Sequence, residues 1–251
     1  MPQRLKDDVR DRILAAAART FAQRGYVQAT LAAIARDADI APSNVYKYYG
    51  SKQALFDAVV TPAIAARLFR LLRARLREFD MLGSWSDAHA DGSAHAKALL
   101  EFWVEHRLAV LILLNGAAGT RFAPVRERMA QEMARQAARF VRRQTAAAPD
   151  AHFDMVLRQV FANTVAMIAA ILERYTSGAD IAQAFATFWT YQLAGLEALV
   201  RNRNRGTRQR APACAAQGDT GYHGGPEKAV HHDASDHCAT WRATTACRKK
   251  A

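Results

Sequence analysis

Ser43, Asn44 and Lys47 place a hydroxyl, an amide and an ammonium in one short stretch, PSNVYKYY, in which Val45 and Tyr49 fall four residues apart. At helical spacing Val45 and Tyr49 share one face, which leaves Ala41, Pro42, Ser43, Asn44 and Lys47 on the other. That second face is small at its start and polar or basic beyond. Hydroxyls and amides can exchange hydrogen bonds with base edges and an ammonium meets phosphates, so a helix of this shape suits a major groove about 12 Å wide.

A helix of that kind must be held by a partner across a tight turn, and the preceding residues supply one. In TLAAIARDA, Leu31, Ile34, Ala35 and Ala38 recur at helical spacing, and Thr30 stands where an N-cap hydroxyl satisfies the first free backbone amides. Asp39 can take the left-handed conformation that ends the helix, Ile40 can pack under the turn, and Pro42 suits the first position of the next helix. Upstream, Val9, Ile13, Ala17 and Phe21 form one apolar stripe, and Gly25 can close that first helix with positive φ. A first helix and two short ones, the last two joined by a turn, are predicted over the first 52 residues.

The segment VYKYYGSKQAL, Val45 to Leu55, together with RDRILAAAARTFAQRGYVQATLAAIA before it, resembles the tetracycline-repressor-like (TetR) transcriptional regulators. The resemblance covers roughly the first quarter of the chain. It implies an all-α protein with an N-terminal helix-turn-helix domain (1–52), a helical effector-binding and dimerisation domain (53–205) and a tail (206–251). Carried over by position, it implies that Thr30 and Tyr46 hold phosphates, that Ser43 and Asn44 face base edges, and that Tyr48 and Lys52 grip the backbone. The nearness of Lys47 and Lys52 to the recognition helix also suits phosphates, since a lysine there releases counterions on binding. The chain departs from the family pattern at Asp39, where many members have glycine, and at Ala41, where many place a Ser or Thr cap worth about 1 kcal/mol.

Composition agrees with a globular regulator. The 251 residues are 51% apolar, and 35 Lys plus Arg against 23 Asp plus Glu give a formal charge of +12, which favours polyanions. Ten basic and four acidic side chains from Arg201 onward supply half of that surplus. The cysteines, Cys214, Cys238 and Cys247, all lie in the tail, so no disulfide framework is expected in the helical body. LAVLILL, Leu108 to Leu114, is bounded by Arg107 and Asn115 and is too short to span a bilayer. A cytoplasmic protein without a membrane partner is the expectation.

Beyond the first quarter the chain reads helix after helix. One runs from Ser51 to about Val60, and Thr61-Pro62 kinks it or caps a fresh one through IAARLFRLLRARLREF. A loop is expected from Leu82 to about Ser93, then a single apolar helix over AHAKALLEFWVEHRLAVLILLN, then an amphipathic one in which Val125, Met129, Met133, Ala137 and Phe140 share a face. In the last two helices, Val156, Val160, Asn163, Thr164, Met167 and Ile171 fall near one side of the first, and Phe188, Gln192, Gly195 and Leu199 on one line of the second. Both are apolar on several faces and need several-sided cover, which a four-helix bundle between two copies would give. Val156, Val160, Met167, Phe188, Gly195 and Leu199 are the candidate dimer residues.

The middle helices are expected to enclose an apolar effector pocket, with Trp103, His106, Asn115, Phe122 and Asn163 as candidate lining because they set aromatic or polar groups on apolar helices. No cofactor is implied. The tail carries His223, His231, His232, His237 and Cys238, but their spacing matches no closed tetrahedral metal pattern, and the segment is expected to be disordered. Two other classes stay open: a helical sensor that pairs with another regulator, and an enzyme, for which Glu101, Glu105 and His106 are the only grouping and no hydrolase or phosphate-loop motif is present.

Overall fold

The computed structural model describes residues 2–81, 93–145 and 150–209. Local signals set the first elements. α1 (Pro2–Gln28) buries Ile13, Ala17 and Phe21 completely, and Gly25 takes φ 69°, as the apolar stripe and the glycine foretell. One further helical turn follows Gly25 before the chain leaves the helix, with the Ala29 amide bonded to the Gly25 carbonyl at 3.1 Å. α2 (Leu31–Asp37), α3 (Pro42–Tyr48) and α4 (Lys52–Val59) complete the head. α4 starts at Ser51, whose hydroxyl accepts from the Ala54 amide at 3.0 Å. Its Leu55 and Phe56 sink against α1, where Phe56 meets Phe21 edge-on at 5.1 Å.

Thr61 caps a fresh helix rather than marking a kink: its hydroxyl accepts from the Ile64 amide at 3.3 Å at the start of α5 (Pro62–Met81). The expected loop before Ser93 lies outside the described residues apart from Ser93 itself, which caps α6 (Ala94–Glu105). The single apolar helix expected next is instead three pieces: α6, α7 (Arg107–Leu111) after a break at His106, and a π turn (Ile112–Gly116). Periodicity could not show the break, because the backbone ladder survives it. The His106 amide still bonds to Phe102 and its carbonyl still accepts from Val110, both at 2.9 Å.

α8 (Val125–Thr145), α9 (Ala151–Arg174) and α10 (Gly178–Gln209) close the body. Val125, Met129, Met133, Ala137 and Phe140 form the buried face of α8 as expected. α9 is long and apolar enough to cross a bilayer, yet it packs along α8 and buries Leu157, Phe161, Val165, Ile168 and Leu172. α10 continues through Gly206 to Gln209, four residues into the expected disordered tail, since one glycine costs an established helix only about 1 kcal/mol. The tail beyond, with its histidines and cysteines, lies outside the described residues. Among the described residues there is no strand.

Head and body meet backbone to backbone. The π turn lies on the end of α1, where a Cβ built on Gly116 would stand 2.8 Å from the Phe21 carbonyl oxygen and 3.4 Å from the Gly25 Cα. Only glycine at 116 permits that approach. Around it Phe122 lies 6.4 Å from Phe56, and Arg121 pairs with Asp57 of α4 at 3.0 Å.

Candidate nucleic-acid interface and body cavity

The turn between α2 and α3 is closed by its own backbone. Asp39 has φ 54°, its amide bonds to the Arg36 carbonyl at 3.1 Å, and the Ile40 amide reaches back to Ala35 at 3.0 Å, the paired bonds of a left-handed helix stop. Arg12 of α1 secures the same turn from across the head, donating to the carbonyls of Ala38 and Asp39, the latter at 2.8 Å. Ile40 is partly buried beneath it. Nothing in the local sequence marks Arg12 for this task, because its partners lie 26 and 27 residues away.

α3 is therefore held in a fixed pose, with Val45 and Tyr49 buried and Arg10 reaching the Tyr49 hydroxyl at 3.4 Å. Its opposite face exposes Ala41, Pro42, Ser43, Tyr46 and Lys47, while Asn44 is half-buried. Ala41 makes no side-chain cap bond and Pro42 occupies the first helical turn. Thr30 is exposed at the start of α2, its oxygen accepting from the Ala33 amide at 3.1 Å, so its hydroxyl proton stays available to another acceptor. Tyr46 is 58% exposed; Tyr48 is half-buried and packs on the core.

Lys52, expected to grip the DNA backbone, is bonded within the head. Its ammonium donates to the carbonyls of Tyr26, Ala29 and Val27 at 2.9, 3.1 and 3.3 Å and lies 4.4 Å from the centre of the Tyr26 ring. Those carbonyls lie in the last turn of α1, after Gly25, and one residue past it, where carbonyls lack intrahelical donors and a cation can satisfy them. Reaching a phosphate would cost Lys52 all three.

In the body, a cavity of about 280 Å³ opens between α5, α6, α8, α9 and α10. Of the five candidate lining residues only Trp103 borders it. His106 sits at the α6–α7 break, 3.3 Å from Arg67 and with its ring tilted against Phe102 at 4.8 Å. Asn115 is exposed and bonds Arg126 at 2.6 Å, Asn163 is exposed and accepts from Gln159 at 3.0 Å, and Phe122 is buried against the head. A polar or aromatic residue on an apolar helix marks a boundary of the core but does not say which one. Arg75, a residue with no local signal, does border the cavity. Its Nη1 pairs with Glu78 at 2.7 Å, and Ser93 donates to the same carboxylate. Burial alone would raise the Glu78 carboxyl, but the bonds from Ser93 and Arg75 and the Arg75 charge outweigh it, and its pKa sits below the ordinary value.

Glu101 and Glu105 are exposed surface acids, 3.9 Å from Lys97 and 3.6 Å from Arg67 respectively. Among the described residues no cluster of His, Cys, Asp and Glu could hold a metal ion.

On the outer side of α9 and α10, Val156, Met167 and Gly195 are exposed and Val160, Phe188 and Leu199 half-buried. Gln192, on the same predicted line, turns inward and is buried. Tyr191, 76% exposed, and Tyr175 extend this apolar face and were not among the sequence candidates. They border a groove with Met167, Ile171, Ala184 and Phe188.

A helix-turn-helix head with an exposed recognition helix, set on an all-helical body, defines a DNA-binding regulator by architecture. Residues 13–59 match the family described as bacterial regulatory proteins, tetR family, a match that runs through the helix-turn-helix to the end of α4. No curated protein matches the chain. Among solved structures, a TetR-like transcriptional regulator from Rhodococcus sp. RHA1 aligns at 21% identity and TM-score 0.45, covering 74% of this chain and 96% of that one. A tetR-family transcriptional regulator from Streptomyces coelicolor aligns at 17% identity and TM-score 0.40 over 83% and 91% of the two chains. The fatty acid degradation regulator FadR from Bacillus halodurans does so at 14% and 0.35 over 78% and 92%.

Proposed function

We propose that the protein is a homodimeric, cytoplasmic transcriptional repressor that leaves its operator when a small molecule enters the body cavity. The observation that carries the reading is the outward face of α3, where Ser43, Tyr46 and Lys47 stand exposed on a helix locked from behind by Val45 and Tyr49. In this reading Ser43 and Asn44 meet base edges, with Ala41 and Pro42 letting the start of the helix come close. Thr30, Tyr46 and Lys47 hold phosphates, and Tyr48 supports them from its half-buried place. Lys52 acts indirectly, by fixing the end of α1.

A symmetric dimer sets two such helices at half-sites a helical turn or more apart. The exposed apolar face of α9 and α10, with Val156, Val160, Met167, Phe188, Gly195 and Leu199, is the surface that supports pairing. A ligand that prefers the arrangement with splayed heads weakens operator binding by its differential affinity for the two states, and a coupling of about 1–3 kcal/mol corresponds to roughly 5–150-fold. The junction of Gly116, Phe122 and Arg121 with α1 and α4 gives such a change a stiff route to the head.

The test is footprinting and fluorescence anisotropy on the DNA upstream of the protein's own gene, with random duplex as the reference. Protection of a two-fold symmetric site is the expected result. Equal affinity for all sequences, or none for any, refutes it.

A further inference from the structure

The main cavity is walled by Leu72, Leu99, Met129, Met133, Phe185 and Trp189, and its 280 Å³ lies near the small end of the range of roughly 300–1,000 Å³ common in ligand sites. A second, narrower space of about 50 Å³ lies beside it, lined by Phe140 and Phe161, and Leu76, Phe79, Met133, Trp189 and Leu193 wall both. Both are walled mainly by apolar side chains.

The charges that border the larger of these two spaces are all of one sign. Arg75 and Lys97 border the main cavity and no Asp or Glu does. Arg75 is nine-tenths buried, stacked 4.3 Å from the centre of the Phe79 ring and fixed through Nη1 by Glu78. A guanidinium carries five N–H donors, so one contact to Glu78 does not exhaust it. Lys97, at the exposed rim, lies 3.9 Å from Glu101. Asp80, which borders the narrower space, is paired with Arg143. On the wall of the main cavity the Trp103 indole N–H is buried without an acceptor among the described residues, a donor that a ligand oxygen would satisfy.

We propose that the cavity takes an amphipathic organic anion, an elongated apolar body ending in one carboxylate. The carboxylate pairs with Arg75, Lys97 adds to the positive potential at the mouth, and the apolar body lies between α5, α8 and α10. The assignment rests on the reading of the protein as effector-responsive and specifies the effector's chemistry.

Isothermal titration of the full chain with decanoate, decanol and decylammonium, each below its aggregation threshold, tests it. Decanoate is expected to bind at least about tenfold more tightly than decanol, with decylammonium the weakest. The double variant Arg75→Gln/Glu78→Gln removes the cation without leaving a lone buried carboxylate. It should lose about tenfold for decanoate and leave decanol unchanged. Lys97→Ala, at the rim, should weaken decanoate alone by about threefold and guards against a double variant that fails to fold. Ala186→Trp, which fills the cavity, should abolish binding of both. Equal affinities for the three head groups, preference for the ammonium, no binding of any, or no effect of the Arg75 and Lys97 changes overturns the assignment. Release from DNA by a neutral compound would then keep the effector-responsive reading while ending this one. Decanoate binding without any operator binding would do the reverse.

Discussion

Gly116→Ala probes the joint between head and body most directly. The added Cβ would stand 2.8 Å from the Phe21 carbonyl oxygen, about 0.6 Å inside the 3.4 Å where ordinary contact begins. Its second neighbour is the Gly25 Cα, also backbone, so no side chain can rotate away and α1 must separate from the π turn. Overpacking of this kind costs about 1–3 kcal/mol, and exchanging glycine for alanine within a helical turn returns up to about 1 kcal/mol. The net loss is about 1–2 kcal/mol. For a folded part of roughly 200 residues, each kcal/mol moves Tm by about 2–4 °C, so thermal unfolding should fall by about 2–8 °C. Gly50→Ala is the control, because its Cβ meets nothing within 4 Å, and it should change stability by no more than about 0.5 kcal/mol. Operator affinity measured on the same samples should fall for Gly116→Ala, because the end of α1 carries the head. If Gly116→Ala matches Gly50→Ala in both Tm and DNA affinity, the backbone contact is not a mechanical joint and the reasoning fails.

Lys52→Met should cost about 1–3 kcal/mol in denaturant unfolding by stripping three carbonyls of their cation, whereas a residue serving only as a phosphate clamp would leave stability unchanged and reduce the salt dependence of DNA binding. Lys47→Ala and Tyr46→Ala are expected to weaken binding to specific and random duplex alike, the former lowering the salt slope by about one, while Asn44→Ala should chiefly erode discrimination between sites; a sequence-dependent loss for Lys47 or a uniform one for Asn44 contradicts these assignments. The lowered Glu78 pKa means that its ionic link stabilises the fold fully above the ordinary value of 4.5 and is lost as pH falls through the folded value. The stability gap between wild type and Glu78→Gln should therefore be widest near neutrality and close below that pH, and a gap independent of pH speaks against the link. Tyr191→Asp and Met167→Asp, both on the exposed apolar face, should give monomers in sedimentation; an unchanged dimer places the interface elsewhere.

Residues within a turn of one another decided most of the head. The Thr30 cap, the left-handed Asp39, Pro42 at the start of α3 and the buried pair Val45 and Tyr49 follow from side-chain chemistry and a period of 3.6, and they stand in the structure as the sequence implies. The succession of helices and the buried face of α8 were legible for the same reason. What the sequence left open depends on partners brought together from far along the chain. Lys52 meets carbonyls 23 to 26 residues away, and Arg12 holds a turn 26 residues on. Glycine at 116 announces freedom, but only packing shows that the freedom is spent on touching α1. The body helices are apolar on several faces, and an apolar face fits the core, a cavity or a second copy equally well. Periodicity therefore pointed to the middle helices for a cavity, while packing brought α9 and α10 to its wall as well, chose Arg75 and Trp103 to border it and set His106, Asn115, Phe122 and Asn163 elsewhere.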